Sequence, residues 1–154
     1  MNKRIILNSL IILSFFALSF AYFVEFILGH KPCNLCLIER IPYIGSLILI
    51  SFLIFINKWE KIILSTVLLL FIFGALISIY HIGIEQGVFS ESLLCELGLN
   101  SNIQNSDELL KTLEKTPISC KDVTFKIFGL SLATFNAFLS IVISYILLKL
   151  IIKK

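Results

Sequence analysis

Cys33 and Cys36 form a C-x-x-C motif, and Arg40 follows it by four residues. The motif lies where an apolar run begins, so we predict that both cysteines occupy the first turn of a helix and share one face with Arg40. Free N–H groups and the positive end of the helix dipole favour a thiolate there, and a permanent cation beside it favours the thiolate further. These residues predict a redox-active dithiol.

The other two cysteines, Cys95 and Cys120, lie far apart in one polar segment. Four cysteines allow three pairings, and the sequence alone does not select one. A disulfide between Cys95 and Cys120 would stabilise the loop between them by about 3 kcal/mol through chain entropy. Structural zinc sites combine two close-spaced ligand pairs. Because the C-x-x-C motif has no second pair of that kind, we predict no metal site.

Four apolar runs must position these cysteines. They cover about residues 5–24, 36–56, 62–80 and 127–148. About 20 helical residues cross the roughly 30 Å hydrocarbon core, and lipid offers the backbone no other hydrogen-bond partner, so each run predicts a transmembrane helix. We expect an all-α membrane protein, a single four-transmembrane-helix bundle over residues 1–154.

Composition and charge agree with this class. The chain is 58% hydrophobic and 15% charged, which is typical of membrane proteins and not of soluble domains. Its net charge is only +3, and no dense basic run is interleaved with aromatic residues, so nucleic-acid binding has no support.

Basic residues predict the orientation. With four spans, both termini and the loop at 57–61 share one side, and Lys and Arg are dense there, whereas the loops at about 25–35 and 82–126 carry them thinly. The positive-inside rule therefore predicts cytoplasmic termini. Both cysteine-bearing loops would then face the periplasm, a compartment that permits disulfides. Within the longer loop, Ser90–Gly98 and Ser106–Lys115 each predict a short helix.

The segment Cys33-Asn-Leu-Cys-Leu-Ile-Glu-Arg40 resembles the disulfide bond formation protein B (DsbB) family of bacterial inner-membrane thiol–quinone oxidoreductases. The resemblance extends to Tyr80-His-Ile-Gly-Ile-Glu85, to the separated pair Cys95 and Cys120, and to Phe128-Gly-Leu-Ser-Leu-Ala-Thr-Phe-Asn136. It covers nearly the whole chain.

The resemblance implies a relay of electrons. A Cys95–Cys120 disulfide would oxidise a periplasmic thioredoxin-like dithiol oxidase of the DsbA type, with Cys95 forming the transient mixed disulfide. Cys33 and Cys36 would reoxidise that pair by way of an inter-loop Cys33–Cys120 bond. Cys36 would then pass electrons to a bound quinone, ubiquinone or menaquinone, and Arg40 would stabilise the charge.

Four further polar residues lie at or inside the spans. His81 and Glu85, one helical turn apart, could shape the quinone site, with His81 donating a hydrogen bond; a polar cap on a helix end explains them equally well. Glu25 is interpreted as a helix-end residue that reaches the interface, and Asn136 as a helix–helix contact.

We therefore predict a protein-dithiol:quinone oxidoreductase of the bacterial inner membrane that reoxidises a DsbA-type partner for disulfide formation in secreted proteins. Two alternatives stay open. One is a non-enzymatic tetraspan scaffold with structural disulfides, which has no need of Arg40. The other is a thiol oxidoreductase acting on a different partner: a reductase that runs electrons outward, or an enzyme for another quinone-like substrate. Vitamin K epoxide reductases are of the latter kind, although their C-x-x-C motif comes late in the bundle.

Overall fold

The computed structural model describes residues 3–56, 59–90, 120, 126–127 and 129–152. Within these ranges the chain forms five helices and one short antiparallel strand pair. The helices are α1 Lys3–Phe26, α2 Asn34–Ile38, α3 Ile41–Ile56, α4 Glu60–Glu85 and α5 Leu132–Ile152, and the strands are β1 Lys126–Ile127 and β2 Leu130–Ser131.

Four stretches of the described chain are helical, long and apolar enough to cross a membrane, namely Lys3–Phe26, Asn34–Phe55, Glu60–Glu85 and Leu132–Ile152. The second of them combines α2 and α3. Their outward faces expose large apolar side chains such as Phe16, Phe55 and Phe138, as lipid-facing helices do. The prediction of a four-helix, multi-pass membrane protein is confirmed, while its orientation in the membrane stays a prediction.

The second span is interrupted at Glu39 and Arg40, between α2 and α3. Pro42 explains the interruption, because proline has no N–H to donate to the carbonyl of Ile38 and its ring crowds that carbonyl. The chain resumes its helix at Ile41. As a result, the turn that carries the two cysteines is a separate short helix.

Two helix ends differ from the sequence prediction. The third span continues through Glu85 instead of ending near Tyr80, since the last turn buries Ile84 and His81 inside the protein. The fourth span begins at Leu132 instead of residue 127, because the β1–β2 pair precedes it.

Gly129 makes the reversal between those strands. Its φ of +83° is readily adopted only by glycine. Ser131 then caps α5, with its Oγ accepting a hydrogen bond from the backbone N–H of Thr134 at 3.4 Å. The start of the fourth span is therefore set by local turn chemistry and not by hydropathy.

The helices pack in the order α1, α3, α4 and α5, with the most extensive contact between α4 and α5. At the end of the bundle where α1 and α4 begin, an apolar core of aliphatic and aromatic side chains fills the interior. It includes Leu7, Leu10, Ile50, Leu53, Leu64, Val67, Phe71, Ile143 and Leu147. The polar side chains described below collect at the opposite end.

Candidate dithiol site

Cys33 and Cys36 lie together at the start of α2. Cys33 is the N-cap residue, and its Sγ accepts a hydrogen bond from the backbone N–H of Cys36 at 3.4 Å. The two Sγ atoms are 2.8 Å apart, and both residues are free thiols. Cys33 is buried and Cys36 is half-buried. This pair can close to a disulfide with little movement of the backbone.

The groups around Cys33 favour its thiolate form. The Cys36 thiol donates a hydrogen bond to it, and His81 adds a hydrogen bond and positive charge, so that the pKa of Cys33 falls from 9.0 to about 4 although burial acts in the opposite direction. A thiolate is the nucleophilic form of cysteine. We therefore expect reduced Cys33 to be a thiolate at neutral pH.

His81 contacts Cys33 from α4. Its Nε2 lies 3.6 Å from Cys33 Sγ, and its Nδ1 lies 3.0 Å from Glu39 Oε1. Since an ionised carboxylate only accepts hydrogen bonds, Nδ1–H donates to Glu39 and the ring is fixed with Nε2 toward the sulfur. His81 is only 3% exposed, which favours a role in the site over a polar cap at the membrane surface.

Glu85 lies beside the same imidazole. Its Oε1 is 3.7 Å from His81 Nε2, which is an ion-pair distance and too long for a hydrogen bond. Two carboxylates, Glu39 and Glu85, thus flank one histidine inside the bundle. Sequence reasoning placed Glu85 here but missed Glu39, although Glu39 is part of the quoted Cys33–Arg40 segment.

Asn136 joins Glu39 to two other helices. Its Nδ2 donates to Glu39 Oε2 at 3.1 Å and lies 2.7 Å from Ser78 Oγ, and its Oδ1 accepts from the hydroxyl of Tyr43. The interpretation of Asn136 as a helix–helix contact is confirmed. Its further effect is to hold the carboxylate that orients His81.

Arg40 is held by α1. Its Nη1 lies 2.7 Å from Glu25 Oε2 in an ion pair, although the N–H is not aligned for a hydrogen bond. Its guanidinium also lies 4.8 Å from the centre of the Tyr22 ring. Glu25 is thus paired inside the protein, which the interpretation of it as an interface-reaching residue did not include. The sequence gives no signal for this pairing because the two residues are on different spans.

A cavity of about 430 Å³ brings these groups together. Its polar wall includes Cys33, Cys36, Arg40, His81, Glu85 and Cys120. Much of the remaining wall is apolar and comes from α1 and α5, including Phe16, Phe20, Val24, Leu132, Phe135 and Leu139. Such a cavity suits a ligand with one polar, redox-active end and an apolar remainder.

Cys120 lies against the first pair. It is 2% exposed, forms one buried cluster with Cys33, Leu35 and Ile84, and is disulfide-bonded. Cys95 lies outside the described residues, as do the helices predicted beyond Ser90. In the described part of the chain, three of the four predicted redox cysteines therefore line this cavity. Arg40, His81 and Glu85 line it as well.

Comparison with known proteins gives two matches. The family model described as Disulfide bond formation protein DsbB matches residues 3–150. An uncharacterized protein of Rickettsia prowazekii (strain Madrid E) is 31% identical over 136 residues, which cover 86% of this chain and 78% of the relative. The family match extends through the four spans and the cysteine-bearing loops.

Proposed function

Because the chain belongs to the DsbB family, we propose that it carries electrons from a periplasmic DsbA-type dithiol oxidase to a membrane quinone. Family membership itself supports the coarser statement, a thiol oxidoreductase with a role in disulfide bond formation. The observation that carries the finer proposal is the shared cavity: the free Cys33–Cys36 pair, Arg40, His81 and disulfide-bonded Cys120 all line it.

The proposed relay conserves electrons at each step. The partner's dithiol loses two electrons and two protons to the second cysteine pair, which we propose to be Cys95 and Cys120. The thiols of Cys95 and Cys120 then pass the two electrons and two protons to an oxidised Cys33–Cys36 pair by thiol–disulfide exchange. Burial of Cys120 in one cluster with Cys33 supports direct exchange between the pairs, because the attacking and accepting sulfur atoms must meet.

Oxidation of the first pair then needs an acceptor inside the membrane. A quinone bound in the cavity would supply a two-electron, two-proton acceptor. The cavity fits this class of ligand, because Arg40, His81 and Glu85 offer polar contacts to a ring oxygen and the Phe-rich wall between α1 and α5 accommodates an apolar tail. Glu25 and Tyr22 hold the Arg40 guanidinium in place at the cavity.

His81 and Glu39 would manage the protons. The Nε2 atom of His81 faces Cys33 Sγ, so the imidazole can hold a proton that leaves the dithiol as it closes. Glu39 accepts the Nδ1–H bond and stabilises the charged ring. We propose both as proton-handling groups, with Asn136 as the residue that positions Glu39.

The test is turnover by purified protein in the presence of ubiquinone and a reduced DsbA-type partner. We expect partner oxidation to depend on quinone and to stop in Cys33→Ser and in Cys36→Ser, since neither protein can close the first disulfide. Cys95→Ser is the matched comparison: it should lose partner oxidation but keep quinone reduction driven by a small dithiol. Normal turnover by the Cys33→Ser/Cys36→Ser protein would rule out the relay.

A second experiment identifies the partner. A Cys120→Ser variant leaves Cys95 without its proposed internal resolving thiol, so we expect a mixed disulfide with the periplasmic oxidase to accumulate. A scaffold with purely structural disulfides predicts no such adduct and no change in thiol state when quinone is added.

A further inference from the structure

We propose that the reduced Cys33–Cys36 pair and His81 form a binding site for a thiophilic divalent cation such as Zn²⁺ or Cd²⁺. Binding of this ion is distinct from electron transfer, because it requires only the free dithiol and the imidazole and no electron acceptor. The reduced protein would capture the ion reversibly.

The three ligand atoms have a suitable spacing. Cys33 Sγ, Cys36 Sγ and one ring nitrogen of His81 all lie within 4.8 Å of one another. Zinc binds sulfur at about 2.3 Å and imidazole nitrogen at about 2.0–2.1 Å, so two such ligands on a tetrahedral ion lie roughly 3.5 Å apart. The Cys33 Sγ–His81 Nε2 distance of 3.6 Å already meets this requirement.

The distance between the two sulfur atoms must increase. At 2.8 Å they are closer than two ligands of one tetrahedral ion, so an ion requires them to separate by roughly 1 Å. Cys36 can make this change by a side-chain rotation, because it is half-buried and lies in the first turn of the short helix α2. No movement of α4 is needed.

Glu39 orients the histidine as metal sites require. Histidine ligands usually donate their second ring N–H to a carboxylate or carbonyl, which fixes the ring and raises its basicity. Here Nδ1 is 3.0 Å from Glu39 Oε1, and Glu39 is itself held by Asn136. The remaining nitrogen, Nε2, is the one that faces the sulfurs.

Cysteine spacing alone disfavours zinc, because Cys95 and Cys120 are far apart in the chain and do not form a second close-spaced pair. The third ligand is instead a histidine from another helix, 48 positions from Cys33. Two thiolates and one imidazole select zinc-like ions over Mg²⁺ and Ca²⁺, which prefer oxygen ligands, and leave the fourth tetrahedral position for water.

Binding would depend on the redox state. The ion replaces any protons on the two thiols and on His81 Nε2 and leaves both sulfurs as bound thiolates, with no electron transferred. Once Cys33 and Cys36 are joined in a disulfide, neither sulfur is a thiolate and the site is lost. A bound ion would in turn keep the dithiol reduced until the ion leaves, which makes it a reversible inhibitor of reoxidation.

Cobalt titration tests the site. Tag-free Cys95→Ser/Cys120→Ser protein, which retains only the first pair, is reduced anaerobically and titrated with Co²⁺ while thiolate-to-cobalt charge-transfer absorption is followed. We expect one ion per chain, displaced by Zn²⁺, and no absorption from the same protein after Cys33 and Cys36 are oxidised. Equal binding by both redox states, or none by the reduced state, would overturn the proposal.

Variants separate this site from adventitious binding. Glu39→Gln should weaken Co²⁺ binding on the order of 10–100-fold, and His81→Gln should weaken it more. Glu60→Gln, a matched change at the opposite end of the bundle where Glu60 pairs with Lys3, should leave the affinity unchanged. Binding that survives His81→Gln would refute the ligand set. Absence of Co²⁺ binding in a protein with normal quinone-linked turnover would remove this inference alone and leave the proposed function standing.

Discussion

The chemistry of Cys33 depends on groups that reach it from two different helices. The thiol and the backbone N–H of Cys36 come from its own turn, whereas the imidazole of His81 comes from α4. The sequence predicts the first contribution, because residues three apart at a helix start share a face. It does not predict the second, because nothing in the chain order says which residue of another span will meet the dithiol.

The reactivity of Cys33 toward alkylation should be nearly independent of pH over most of the working range. Its pKa is lowered from 9.0 to about 4, so the reduced residue is a thiolate above about pH 5 and is protonated as the pH falls through 4. We expect the rate at which iodoacetamide alkylates Cys33 to be constant from about pH 5 to 9 and to fall below about pH 5. Mass spectrometry on reduced Cys95→Ser/Cys120→Ser protein measures this rate.

Cys36→Ala provides the comparison for that measurement. It removes the hydrogen bond that contributes most to lowering the pKa of Cys33, so the midpoint of the reactivity profile should move to higher pH. A rate that kept rising through pH 8 in the protein that retains Cys36 would contradict the thiolate assignment.

The ion pair between Arg40 and Glu25 should contribute to stability as well as to the site. Both side chains are largely buried, at 11% and 22% exposure, so removing one partner leaves the other charge unpaired in a poorly solvated position. In a double-mutant cycle of Arg40→Gln and Glu25→Gln, we expect a coupling free energy of about 1–3 kcal/mol from thermal unfolding in detergent. Additive effects of the two substitutions would show that the pair is energetically irrelevant.

At the scale of elements, the site depends on two close helix contacts. Asn136 hydrogen-bonds to α3, to α4 and to the turn before α3 through Tyr43, Ser78 and Glu39. Gly74 lets α4 approach α3 closely, since a Cβ at that position would come within 2.8 Å of Pro42 Cγ. Pro42 therefore both ends the turn that carries the cysteines and packs directly against α4.

Replacing Gly74 should disturb this approach. Gly74→Ala places a methyl group against the rigid ring of Pro42 and should lower the free energy of unfolding by about 1–3 kcal/mol. Gly45→Ala is the matched control, because its Cβ would meet only the flexible end of Leu70, also at 2.8 Å, and alanine favours the helix. Thermal unfolding in detergent measures both; an equal loss at the two positions would argue against the Gly74–Pro42 contact as the cause.

Hydropathy predicts the existence of the four spans but not all of their ends. Apolar runs report burial in lipid, whereas the third span ends at Glu85 because a buried histidine extends the helix. The fourth begins at Leu132 because Gly129 and Ser131 make a turn and a cap inside an apolar run. The contacts of Glu25 with Arg40 and of Asn136 with Glu39 could not be predicted, since each joins residues from different spans.

At the scale of the whole molecule, the bundle has two chemically different ends. Lys3 pairs with Glu60 at 2.6 Å where α1 and α4 begin, and the dithiol, His81 and Arg40 lie at the other end. The charge distribution predicts that the Lys3 end is cytoplasmic. A reporter active only after export should be inactive when fused after the last residue and active when fused after His30. The reverse pattern would place the dithiol in the cytoplasm and end the periplasmic relay.

The apolar core at the Lys3 end has an electrical consequence. Ser14 and Ser46 hydrogen-bond to each other at 2.8 Å, and Leu10, Ile50, Phe71 and their neighbours form the apolar core toward the Lys3 end. Hydrocarbon side chains cannot conduct protons, so the described core insulates one compartment from the other. Under the proposed function, we therefore expect protons released or taken up at the dithiol end to exchange with that side alone, without a proton leak across the membrane during turnover.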